Sequence, residues 1–222
     1  MTGSAAPALA WSGGKDSALA LWTMREEGIE PVALLTTLTE DYDRISMHAV
    51  RRELLEAQAA AVEVPLVEVL IPAACVNEVY EERMAAALAS PPLAEVEEFA
   101  FADLFLENIR AYREERLAAI GRRATFPVWG RETGALAETF VDASFEATLV
   151  CVDPKQLDPS FCGRAFDADL LRDLPEGVDP CGENGEFHTF AYAGPMFRHA
   201  VPVQLGEAVE RDGFIFADLL PA

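Results

Sequence analysis

The sequence predicts an α/β fold, with a parallel sheet covered by helices on both faces and a small C-terminal α+β region. Three observations carry that expectation. With 222 residues and 51% hydrophobic content, the chain can bury a substantial core. Over the first two-thirds, short apolar runs alternate with segments of helical periodicity, the pattern of strand–helix–strand units. From about Asp153 that alternation gives way to a stretch rich in proline, aspartate and glycine. The domain boundary is therefore placed at 145, with an α/β domain over 1–145 and a smaller region over 146–222.

The elements follow in order. Residues 7–11 read as a short buried strand. Residues 16–27 read as a helix with Leu19, Trp22 and neighbouring alanines on one face, ended by Gly28. Residues 31–37, apolar and then threonine-rich, give a second strand. Val50, Leu54, Leu55 and residues 58–61 recur at helical spacing. Residues 66–70 form a third strand and 76–89 the next helix, which Ser90-Pro91-Pro92 breaks. A strand at 98–101 is followed by a charged helix over 108–120, whose Arg110, Arg113, Glu114 and Arg116 belong to a solvated face. Residues 126–129 read as a strand, 134–143 as a helix and 148–152 as a further strand. A short helix over 167–173 comes next. The end reads as a hairpin, 207–210 and 214–218, turning at Arg211-Asp212-Gly213. The C-terminal region is expected to cover part of the sheet edge. In sheets of this kind ligands gather at the carboxyl ends of the strands.

Composition narrows the partners. Lys+Arg is 17 against Asp+Glu 38, a formal net charge of -21. So acidic a surface repels phosphate backbones and anionic lipid, and nucleic-acid or membrane binding is not expected. No apolar run approaches bilayer length, and the N-terminus lacks a basic region followed by an apolar stretch, so a soluble, cytoplasmic protein is expected. Cys75, Cys151, Cys162 and Cys181 form no CxxC pair, so neither a structural metal site nor a disulfide is expected. Cys181 stands out by its neighbours alone.

The sharpest feature is Ser12-Gly13-Gly14-Lys15-Asp16-Ser17, directly after the first strand and opening the first helix. Such a turn gathers backbone N–H groups and the positive helix end at one point, which favours an anion. Gly13 and Gly14 allow unusual backbone angles and close approach. Ser12 and Ser17 add hydroxyls, and Lys15, one of only two lysines in the chain, adds a compact charge. The plainer alternative is a helix start capped by Asp16 or Ser12, but a cap needs one such residue. The spacing fits neither GxxxxGK[ST] nor GxGxxG.

A late segment, Asp179-Pro180-Cys181-Gly182-Glu183-Asn184-Gly185-Glu186-Phe187-His188-Thr189-Phe190, sets two carboxylates three residues apart beside glycines and a histidine. These could bind an ammonium group, orient a base or hold Mg²⁺. The alternative is a glycine-rich turn with solvated acids. His188 could equally be a structural residue, and His48 could simply cap the following helix.

The first loop resembles the SGGKDS pyrophosphate loop of the adenine-nucleotide alpha-hydrolase superfamily, whose members split ATP between the α and β phosphates and transfer AMP to an oxygen. Taken with Phe126-Pro127-Val128-Trp129-Gly130-Arg131, Leu157-Asp158-Pro159-Ser160-Phe161-Cys162-Gly163-Arg164 and the late segment, the chain resembles the diphthine–ammonia ligase family, the ATP-binding amidases of diphthamide synthesis. The resemblance runs from about Leu9 to Phe197.

That resemblance implies a Rossmann-like sheet, a nucleotide-binding domain over 1–145 and an acceptor-binding region over 146–222. Ser12, Gly13, Gly14, Lys15, Asp16 and Ser17 match the pyrophosphate loop. Thr36 and Thr37 match a position lining the nucleotide, Met47-His48 a pair near the adenosine, and Gly130 a strand-end glycine facing the ligand. Glu183, Gly185, Glu186 and Thr189 match the signature Glu-Gly-Gly-Glu-Phe-x-Thr, with Asn184 in place of a glycine and His188 at the open position. Lys15, Asp16, Glu183 and Glu186 are the implied catalytic residues. The implied activity is an AMP-forming, amide-forming ligase that uses ATP with Mg²⁺ and ammonia and assigns no resident metal. Its acceptor is a carboxylate, diphthine on elongation factor 2 in archaea and eukaryotes and unknown otherwise. A homodimer is among the expected assemblies. Two rivals stand beside it: a pyrophosphate-loop enzyme with another acceptor, small molecule or tRNA, and a non-enzymatic adenine-nucleotide-binding protein. The family's Gly-Ala/Asp-Ile/Leu-x-Ser-x-Tyr segment is altered here, reading Phe101-Ala102-Asp103-Leu104-Phe105-Leu106-Glu107-Asn108, without the Ser/Tyr pair.

Overall fold

The computed structural model describes residues 6–222. Its central sheet is built from β1 (Ala8–Ala10), β2 (Ala33–Thr39), β4 (Leu66–Ile71), β5 (Glu98–Ala100) and β6 (Arg123–Thr125), all parallel. The order across it is β4-β2-β1-β5-β6. A two-residue β3 (Arg44–Ile45) runs antiparallel to the last residues of β2, beyond the stretch that pairs with β1. β1 lies between β2, with Leu9 opposite Leu34, and β5, with Leu9 opposite Ala100. The chain leaves β1 toward β2 and later returns to its other side. The strand order therefore reverses at β1, which opens a crevice at its carboxyl end.

Alternate residues of each strand face opposite sides, and both sides are filled. Leu9 and Leu34 belong to the main core with α1 (Lys15–Glu26), α2 (Arg52–Val62) and α5 (Thr133–Asp142). Ala8 and Ala33 face a smaller core made with Leu88 of α3 (Asn77–Leu88), Leu117 of α4 (Glu107–Ala118), Leu93, Val96 and Phe99. The expected parallel sheet with helices on both faces is present.

The C-terminal part forms a second sheet, β8-β7-β10-β9, antiparallel throughout. Its strands are β7 (Glu146–Val152), β8 (Phe187–Ala193), β9 (Val203–Arg211) and β10 (Phe214–Pro221), with a short α6 (Ala168–Asp173) between β7 and β8. Main-core residues continue into it through Leu149, Phe187 and Phe190. Asp218 of β10 receives Arg44 at 2.8 Å and Arg51 at 2.7 Å, which ties the two sheets together near β3 and α2.

Two expected strands are corrected. The strand read at 126–129 is a turn, and the strand lies earlier, at Arg123–Thr125. Pro127 has no N–H for a ladder, and Val128 is apolar because it is fully buried in the main core. The segment read at 148–152 begins at Glu146 and joins the second sheet, flanked by antiparallel β8 and β10 rather than by parallel partners. Phe187–Ala193, where the sequence reading assigns no element, is a strand. The hairpin is longer than read at both ends, and its two-residue turn has Asp212 at φ 53° and Gly213 at φ 82°, both left-handed as such turns require.

Candidate active site

The loop after β1 is held from three directions. Gly13 sits at φ 76°, in the left-handed region that favours glycine. Its carbonyl accepts the Ala191 N–H of β8 at 2.9 Å and the Gln58 Nε2 of α2 at 2.9 Å. Ser12 Oγ lies 2.7 Å from Ser17 Oγ and accepts the Gly14 N–H at 3.2 Å, so the two serines close the turn on itself. The N-cap of α1 is Gly14, which has no side chain to cap with. Instead Lys15 N–H donates to Thr189 Oγ1 at 3.0 Å, a cap supplied from β8. A methyl at Gly13 would meet Gln58 Oε1 at 2.9 Å, and one at Gly14 would meet the Thr189 carbonyl at 3.1 Å. Gly13 is thus demanded by its backbone angle and its packing, and Gly14 leaves only a tight fit for a methyl.

Lys15 is only 2% exposed. Its ammonium donates to Asp16 Oδ1 at 3.0 Å and Oδ2 at 2.9 Å and to the Cys181 carbonyl. The rings of Phe166 and Phe187 lie 5.6 and 5.4 Å from Nζ. Burial pushes the Lys15 pKa down, but the adjacent Asp16 carboxylate, with Cys181 and Glu183 adding, outweighs it and the net shift is upward. Burial also raises Asp16 against the pull of Lys15. A contact of 2.9 Å to an ammonium favours the charged pair, so we assign both as ionised.

Above the loop lies a cavity of about 920 Å³. Ser12, Gly14, Lys15, Asp16, Ser17, Thr36, Thr37, His48, Glu183, Gly185, His188 and Thr189 all line it, and it extends past Asp103 between α3 and α4. The carboxyl end of β1 therefore collects residues from both sheets. Thr36 is buried and donates its hydroxyl to the Trp11 carbonyl at 2.6 Å, fixing the strand end. His48 stands between Met47 at φ 67° and Ala49 at φ 55°, two left-handed residues that hold it against the cavity. Its ring centroid is 4.6 Å from that of His188. Burial drives both imidazoles toward the neutral form, with His188 lowered to about 4 and His48 well below its ordinary value. Glu183 accepts the Leu104 N–H at 2.8 Å. Burial nevertheless pushes its pKa up to about 7, against that hydrogen bond and with Asp16 and Asp103 adding to the rise.

A family model described as the diphthamide synthase N-terminal domain matches residues 5–124, more than half of the chain. The chain belongs to the diphthamide synthase family. The diphthamide synthase C-terminal domain model matches residues 132–216. Among curated proteins, the diphthine–ammonia ligase of Bos taurus is 30% identical over 95 residues, 40% of this chain and 36% of the bovine protein. The match thus spans little more than a third of that relative's length.

The cavity of this diphthamide synthase family member draws on both matched segments, with the Ser12–Ser17 turn and His48 from one and Glu183, His188 and Thr189 from the other. Four of the expected residues do not line it. Gly13 turns its carbonyl toward Gln58 and Ala191. Gly130 donates its N–H to the Leu104 carbonyl at 2.8 Å, which braces the segment that in turn holds Glu183. Glu186 is 3% exposed. Its Oε1 accepts the Asp179 N–H at 2.9 Å and Asn184 Nδ2 at 3.2 Å, so Glu186 organises the 179–186 turn from inside while Asn184 reaches it from the exposed side. Among the described residues Glu186 Oε2 is buried without a partner.

Three contributors escaped the sequence reading. Gln58 was absorbed into the helical periodicity of α2, although a glutamine on the buried face of a helix is itself a signal. The Leu104 N–H and the Cys181 carbonyl are backbone groups that no side-chain pattern reveals. Cys181 matters through that carbonyl. Its thiol donates to the Thr133 carbonyl at 3.3 Å, and burial pushes its pKa up to about 12, so it stays a thiol.

The site fits a triphosphate on its own geometry: two closely packed glycines, several hydroxyls and a buried cation at one helix end. Among the described residues no group of three or more His, Cys, Asp or Glu could hold a metal ion.

Proposed function

We propose that the protein is an ATP-dependent ligase that adenylylates an acceptor carboxylate and amidates it with ammonia. The observation that carries this reading is the Gly13-Gly14 turn, braced from three elements and opening with buried Lys15 into a cavity that also contains Glu183. In this reading residues 1–145 form the nucleotide-binding domain and residues 146–222 the acceptor side. The name of the bovine relative suggests diphthine as acceptor, on elongation factor 2 where that residue is made. ATP enters with Mg²⁺.

An ammonium has three donors. Asp16 Oδ1 and Oδ2 and the Cys181 carbonyl engage all three in Lys15, and in this reading the ammonium turns one of them from Asp16 to a phosphate oxygen when the nucleotide binds. Ser12, Ser17 and the first amides of α1 surround the same point, so the turn holds the β and γ phosphates and stabilises charge on departing pyrophosphate. The acceptor carboxylate oxygen attacks the α-phosphorus, the α–β bridging bond breaks and pyrophosphate leaves. Ammonia then attacks the acyl carbon, AMP leaves with the former carboxylate oxygen, and the new amide nitrogen sheds a proton. Glu183, with a pKa near 7, is placed to accept that proton at neutral pH. The neutral His48 and His188 rings suit a flat, uncharged base better than a phosphate.

The test is exchange of labelled pyrophosphate into ATP, with and without a diphthine-bearing acceptor. Acceptor-dependent exchange is expected. Tight ATP binding with no exchange under any acceptor would make the protein a nucleotide-binding protein and end the ligase reading.

A further inference from the structure

We infer that Gln58 is the positioning residue of the phosphate-binding turn, acting through the Gly13–Gly14 peptide. Gln58 is completely buried on α2. Its Oε1 accepts the Trp11 indole N–H at 2.7 Å, and its Nε2 donates to the Gly13 carbonyl at 2.9 Å and to the Ala191 carbonyl of β8. An indole nitrogen can only donate and a carbonyl can only accept. The three partners therefore fix one orientation of the amide, which no carboxylate or hydrocarbon reproduces.

In a planar trans peptide the C=O and N–H point to opposite sides. With the Gly13 carbonyl pinned toward Gln58 and the Ala191 N–H, the Gly14 N–H is forced to the other side, toward Ser12 Oγ and the cavity. The same amide fastens the last residue of the turn's strand side, Trp11, to the strand that carries Thr189. Gln58 thus sets how the turn faces a ligand while touching none itself. It also explains why position 13 is glycine, since its Oε1 fills the space where a side chain would start.

The test uses Gln58→Met, Gln58→Glu and Trp11→Phe in the full chain. Amide hydrogen exchange is read first without ligand. Gly14 and Lys15 are expected to exchange at least tenfold faster in Gln58→Met, with the Leu34 and Leu35 amides of the central sheet unchanged. A carboxyl buried against two carbonyls stays protonated, so Gln58→Glu keeps one donor and falls between Gln58→Met and wild type. Trp11→Phe leaves the grip on Gly13 intact and stays within about threefold of wild type. ATP affinity is measured second and follows the same order, an arm that rests on the nucleotide reading. Unchanged Gly14 and Lys15 exchange in both Gln58 variants, or equal loss across the whole sheet, overturns the inference. Failure of wild-type protein to bind ATP would strike the nucleotide reading alone, since the exchange arm still decides the role of Gln58.

Discussion

At the scale of single residues, the Lys15–Asp16 pair joins stability to chemistry. Lys15→Met leaves Asp16 without its cation and costs about 3 kcal/mol, the scale for breaking a buried pair. Lys15→Met combined with Asp16→Asn recovers most of that loss in denaturant unfolding, while pyrophosphate exchange stays abolished in both. Recovery of exchange in the double variant would remove Lys15 from phosphate binding. Glu183 carries a separate signature. Its folded pKa, about 7 against 4.5 in the unfolded chain, means that the folded state prefers the protonated form. Its contribution is therefore most favourable below about pH 4.5, falls as pH rises to about 7, and is flat above. His188, lowered to about 4, gives the opposite slope, with stability lost as pH falls below 6.5. The difference between Glu183→Gln and wild type isolates the carboxyl. The variant gains in Tm relative to wild type between pH 5 and pH 7.5, and a constant difference across that window would contradict the assigned shift.

At the scale of elements, the β1–turn–α1 unit was legible because local chemistry dictates it: an apolar strand, two glycines and a periodic helix. Its cap was not legible, since Thr189 reaches Lys15 from 174 residues away. Thr189→Val is expected to cost about 1 kcal/mol, the scale of a lost helix cap, and Thr189→Ser to retain most of it. Equal loss in the two, read by thermal unfolding, would deny the hydroxyl that role. β8 was hidden because its polar His188 and Thr189 and the preceding glycines mimic a loop, whereas long-range pairing with β7 makes it a strand. β6 was displaced because the apolar run at 126–129 was read as strand when Val128 is buried in a turn. In the C-terminal hairpin, Gly213→Val places a branched side chain at φ 82° and should cost on the order of 1–2 kcal/mol. A neutral effect on unfolding would contradict the left-handed turn.

At the scale of the molecule, the parallel sheet supplies the crevice and the antiparallel sheet closes it. Neither alone assembles Lys15, Glu183 and the histidine pair. Composition anticipated an acidic protein, and the cavity concentrates its scarce buried cation at one helix end. The side chains meeting there were mostly named by the family resemblance, but which of them face the cavity was not legible, because Glu186 turns inward to accept the Asp179 N–H and the Asn184 amide. The most direct measurement is a crystal structure with α,β-methylene-ATP and Mg²⁺. The account predicts the two outer phosphates in the Gly13–Ser17 turn, within hydrogen-bond reach of the first amides of α1, with the α-phosphate turned toward Glu183. A nucleotide seated elsewhere, or one whose outer phosphates point away from that turn, would contradict it.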